Sequence, residues 1–128
     1  MESKTVLEIG GIGPKSAAST ISTTSIVVNL IHLPNPYTSI SKGILNRTPK
    51  DIIEWMILSD PRAATKLEKI IPIITSELIN KRSVRLECYG GADRSQAVAW
   101  NVLQTLDHET RRFVEVRCLD STPMNELM

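Results

Sequence analysis

Cys88, Gly90, Gly91, Arg94 and Ser95 fall within one short stretch, CYGGADRS. The apolar run SVRLEC precedes it and the amphipathic run DRSQAVAWNVLQTL follows, so the stretch reads as a turn from a strand into a helix. Glycine permits backbone angles that let successive amides converge on one point. The amides of Tyr89, Gly90, Gly91, Ala92 and Asp93 are therefore candidates to cradle an anion. The first turn of the helix adds free N–H groups and a partial positive charge. Arg94 can give a phosphate two parallel hydrogen bonds, and Ser95 one more. A second reading stays open. Asp93 with Gln96 three residues on has the form of a capping box, in which the Asp93 carboxylate fills those amides itself.

The spacing of Cys88, Gly91, Arg94 and Ser95 also resembles the signature loop of cysteine-dependent protein tyrosine and dual-specificity phosphatases. That resemblance implies a Cys88 thiolate that attacks phosphorus and an Arg94 that holds the phosphoryl oxygens. Asp60, 28 positions upstream of Cys88, would protonate the leaving group. Such chemistry requires an ionised thiol, which a helix N-terminus and an arginine favour. Asp60 has another role open to it, as a helix cap.

These residues need a frame. TVLEIGG (Thr5 to Gly11) reads as a first strand, and GIGPKSAASTISTT after it as a loop. The β-branched run SIVVNLIHL (Ser25 to Leu33) reads as a strand buried on both faces, ended by Pro34-Asn35-Pro36. His32 continues that pattern as a packed or hydrogen-bonded residue. A loop, YTSISKGILNR, follows. Thr48 caps a helix with Pro49 in its first turn; Asp60 and Pro61 repeat the signal. Ala63, Leu67, Ile70, Ile71, Ile74 and Leu78 keep helical spacing, with Pro72 expected to kink or split the helix. RFVEVRCLD reads as a last strand, and STPMNELM carries no clear signal. The rhythm is that of an α/β fold: a single domain with a mostly parallel sheet flanked by helices. Its parts are a strand and flexible loop over 1–24, a main body over 25–120 and a tail over 121–128. Ligands in such sheets bind beyond the carboxyl ends of the strands, where CYGGADRS lies.

The chain has 128 residues and a formal net charge of +1, enough for one core and no general case for nucleic acid or membrane. Arg62, Lys66 and Lys69, then Lys81, Arg82 and Arg85, then Arg111, Arg112 and Arg117 read as solvated faces and turns rather than an RNA surface. Trp55 and Trp100 read as core or subunit-interface packing. The two cysteines and two histidines have no metal spacing, so no metal or redox cofactor is expected. Reduced thiols, no signal peptide and no long apolar run point to a cytoplasmic protein.

In order, HLPNPY, TPKD, a long helix with Pro72, ECYGGADRS and VEVRCLD resemble the C-terminal domain of the RapZ family, the bacterial RNase adapter proteins, over about Ser25 to Asp120. The resemblance implies a domain like a phosphofructokinase lobe, standing without the family's P-loop kinase-like domain. It implies a homo-oligomer whose Cys88–Ser95 loop cradles a sugar phosphate, with Asn35 and Tyr37 facing the rest of the ligand. It also brings RNA as a partner, which the balanced charge does not favour. The expected function is a binding module for a phosphorylated or otherwise anionic small molecule, a sugar phosphate or nucleotide-like compound. A cysteine phosphatase is the alternative, and an RNA or protein adapter the second alternative.

Overall fold

The computed structural model describes residues 4–127, so Met1, Glu2 and Ser3 of the first segment and Met128 of the tail lie outside it. The elements are β1 (Thr5–Gly11), β2 (Ile26–Asn29), α1 (Tyr37–Ser41), α2 (Pro49–Ser59), α3 (Pro61–Ile79), β3 (Val84–Cys88), α4 (Arg94–Thr105), α5 (His108–Arg112) and β4 (Val114–Cys118). The strands form one sheet in the order β2-β3-β1-β4, and every pairing is parallel. The fold is thus a small α/β domain with an all-parallel sheet. No helix among the described residues is long and apolar enough to cross a membrane.

β1 lies inside the sheet, and all seven of its residues are buried. The second strand departs from expectation. It covers only Ile26–Asn29, sits at the sheet edge and alternates in burial, with Val27 55% exposed. Its apolar run is long because it serves two structures. Leu30 and Leu33 enter the core from a turn beyond the strand, and Leu33 N–H bonds back to Leu30 O. His32 is exposed on that turn, and its carbonyl accepts Lys66 Nζ at 3.1 Å.

The helices start where the caps placed them. Thr48 Oγ1 accepts the Asp51 N–H at 3.3 Å, and Asp60 Oδ1 accepts the Arg62 N–H at 3.0 Å. α3 buries Ala63, Leu67, Ile74 and Leu78, with Ile70 and Ile71 packed partly against the core. Pro72 does not split it. Pro72 and Glu68 are both exposed, so the carbonyl that loses its N–H partner is within reach of water. Three elements were not expected: α1, inside the run read as a loop, α5, whose cap Asp107 accepts the Thr110 N–H, and the turn at Asn125–Leu127. The last buries Met124 and Leu127, so the tail is part of the core.

The two faces of the sheet differ. Leu7, Ile9, Val84 and Leu86 point to the face covered by helices, in one cluster with Ile52, Met56, Ile74, Val98 and Val102. The opposite face carries Glu8, Arg85, Glu87, Glu115 and Arg117, and the β1–β2 connection covers it as a loop, not a helix. Arg85 Nη1 donates to Glu8 Oε1 at 2.5 Å, and both side chains are buried. Glu8 Oε2 accepts the Thr20 N–H and hydroxyl at 2.8 and 2.7 Å, fastening the loop. Arg85 also fixes the identity of Gly10, whose Cβ would stand 2.2 Å from its Nη2.

Candidate functional site

β1 and β3 are neighbours, but their connections leave on opposite faces. The loop after β1 crosses the charged face, while α4 after β3 packs on the apolar one. Adjacent strands whose connections diverge open a crevice at their carboxyl ends. The expected loop lies there.

Two glycines make the bend after Cys88. Gly90 has φ 72° and Gly91 φ 60°, and a side chain is strained at either value. A Cβ on Gly91 would also come within 2.7 Å of the Gly10 carbonyl carbon. The loop thus presses its backbone onto the end of β1. Asp120, just past β4, joins them. Its Oδ2 accepts the Gly11 N–H and its Oδ1 the Ala17 N–H, both at 2.8 Å. Ser121 Oγ donates to Gly90 O at 2.7 Å.

Asp93 does not cap α4. It has helical angles, φ −98° and ψ −60°, where a cap residue is extended, and its side chain accepts no cap bond. Its carboxylate instead accepts Arg47 Nε at 2.9 Å. Arg47 Nη2 also reaches Ala92 O at 3.4 Å and Thr122 O at 3.3 Å. The other half of the expected capping box, Gln96, faces the tail. Its Nε2 donates to Thr122 O at 3.1 Å and its Oε1 accepts the Met124 N–H at 2.7 Å. The first turn of α4 is therefore left without a side-chain cap.

Arg94 is 3% exposed and turned inward. Nη1 donates to Ile31 O at 3.1 Å and to Leu33 O at 3.0 Å, which ties the Pro34-Asn35-Pro36 turn to the glycine loop. Its guanidinium carbon lies 5.7 Å from the centre of the Tyr89 ring. Among the described residues, Nε and Nη2 take no acceptor. Ser95 is fully buried, and its Oγ has no hydrogen-bond partner among the described residues. Asn35 Oδ1 accepts the Tyr37 N–H at 3.1 Å, fixing the start of α1. Tyr37 and Tyr89 are both exposed.

The residues of the phosphatase alternative are placed differently. Cys88 belongs to the apolar core at 1% exposure, and its Sγ donates weakly to Tyr89 O at 3.7 Å. Cys88 and Cys118 are both free, on strands separated by β1. Asp60 caps α3, and the Arg62 side chain and N–H hold its carboxyl below the usual carboxylate range.

Sequence reading missed Arg47, Asp120 and Ser121. Asp120 had a usable signal, an acid directly after a parallel strand, where such folds collect site residues. Arg47 had none. It meets the loop only through the fold.

No family model matches this chain, and a search of curated proteins finds no match either.

Proposed function

We propose that the protein is a binding module for a phosphorylated or otherwise anionic small molecule, held between the carboxyl ends of β1 and β3. One observation carries this reading. The α4 N-terminus has no side-chain cap, and the hydroxyl of Ser95 in its first turn is buried without a partner. Buried polar atoms nearly always find partners, so an orphan at a helix N-terminus calls for an anion. Asp93, the obvious competitor for those amides, is drawn aside by Arg47. In this reading Arg94 has two roles. Nη1 anchors the neighbouring turn, and the remaining N–H groups serve the ligand. Tyr89 stands beside the guanidinium, and the resemblance assigns Tyr37 to the ligand. The likeness to the RapZ C-terminal domain agrees with this and adds two proposals, a sugar phosphate as the ligand and a homo-oligomer as the working form.

Binding is favoured over turnover. A general acid must carry its proton at working pH, and Asp60 is held ionised beside Arg62. Cys88 lies within apolar packing rather than facing the crevice rim. Cys88→Ser is the discriminating variant. With a panel of sugar phosphates in calorimetry, its affinity is expected to match that of the parent, and no phosphate is released by either protein. Phosphate release that the substitution abolishes would reverse the assignment in favour of the phosphatase.

A further inference from the structure

A cavity lies at the other end of the sheet from the glycine loop, beside the start of β1. β1 spans seven residues, which puts the two places roughly 20 Å apart along the strand. The cavity has a volume of about 350 Å³ and is walled by the cations Lys4, Lys81 and Arg117 and by the hydroxyls of Thr20, Ser22 and Ser83. Among the described residues, no Asp or Glu lines it.

The charges around it are unevenly spent. Arg117 Nε pairs with Glu115, and its Nη1 donates to Thr20 Oγ1 at 2.9 Å. Glu8 faces Thr20 as well, but its charge is taken by Arg85. Lys81 makes no ion pair among the described residues. Its backbone position is unusual. Lys81 follows the α3 cap at φ 61°, with its N–H on Leu78 O and the Arg82 N–H on Glu77 O. That closing turn is normally made by glycine. Arg82, bonded to Glu77, already supplies a cation at the helix end. The lysine thus carries a strained backbone while keeping an ammonium at the cavity.

We propose that this cavity binds a compact phosphoryl compound, with Lys81, Lys4 and Arg117 sharing its charge and the Ser22 and Ser83 hydroxyls meeting its oxygens. Converging cations suit one multiply charged group. A nucleic-acid backbone would need them spread along a surface. The site is independent of the one at Arg94.

Inorganic pyrophosphate titrated into the ¹⁵N-labelled full chain tests this. The amides of Thr20, Ser22 and Ser83 are expected to shift and saturate. Lys81→Gly suits the backbone angle and keeps the fold. Together with Lys81→Gln, which removes the charge but keeps a polar side chain one atom shorter, it should weaken this response by about tenfold, one charge contact. Arg94→Ala should leave it unchanged. Absence of saturable shifts at these amides, or affinity unchanged from the parent in both Lys81 variants, overturns the proposal.

Discussion

Arg94 shows how one side chain can be both structure and site. Its type and spacing were visible in the sequence, but its partners were not, because the Ile31 and Leu33 carbonyls lie more than sixty positions away. Arg94→Ala removes a charge-assisted contact and should weaken a phosphate ligand by about 2 kcal/mol, roughly thirtyfold in Kd by calorimetry. It also strands two carbonyls, so its melting temperature should fall as well. Glu8 supplies a pH prediction. Burial alone would raise its carboxyl, but the Thr20 hydroxyl and N–H and Arg85 outweigh it and hold it below its ordinary value. A group depressed on folding stabilises above its unfolded value and loses that contribution as pH falls through the folded one. Hydrogen exchange at the Thr20 amide should therefore accelerate as pH drops below the ordinary glutamate value of about 4.3, after correction for intrinsic rates. In Glu8→Gln that acid step should vanish. Arg85→Met leaves Glu8 buried and unpaired and should cost about 3–5 kcal/mol in denaturant unfolding. An unchanged midpoint would mean that the pair is not buried in solution.

Elements were legible where local chemistry governs them and not where tertiary position does. Thr48 and Asp60 each announced a helix, and both cap one. The Asp93–Gln96 pair had the form of a capping box and caps nothing, because Arg47 and the tail compete for its two side chains. The run from Ser25 to Leu33 shows a similar limit. Hydrophobicity does not distinguish a buried strand from an edge strand followed by an apolar turn. The glycine bend was readable, since two adjacent glycines after a strand suggest left-handed angles. The close approach of Gly91 to Gly10 was not. Gly91→Ala meets both strain and backbone overlap, so a loss of about 3 kcal/mol or more in stability is expected, measured by urea unfolding. Pro72→Ala should act in the other direction. Restoring an exposed helix bond should raise stability by about 2 kcal/mol, the helix gain less the entropy proline removes from the unfolded chain. No gain would imply that Pro72 already has compensating contacts.

At the scale of the molecule, the strand and helix rhythm was enough for a parallel α/β sheet, but strand order was not readable. That order, β2-β3-β1-β4, is what brings the ends of β1 and β3 together and makes their connections diverge. It also brings Asp120, from the far end of the chain, onto Gly11. The tail looked uninformative because its two core anchors, Met124 and Leu127, come from a turn without period. Met124→Ala should cost about 2–4 kcal/mol, read as a lowered unfolding midpoint. Because Met124 N–H bonds Gln96, the loss should also loosen the first turn of α4, which the site needs. The most direct measurement is an amide-resolved NMR titration with inorganic phosphate. Saturable shifts should appear at Gly90, Gly91, Arg94 and Ser95 and disappear in Arg94→Ala. Silence at those four amides, with the protein folded and phosphate in large excess, would contradict an anion site at the β1–β3 crevice.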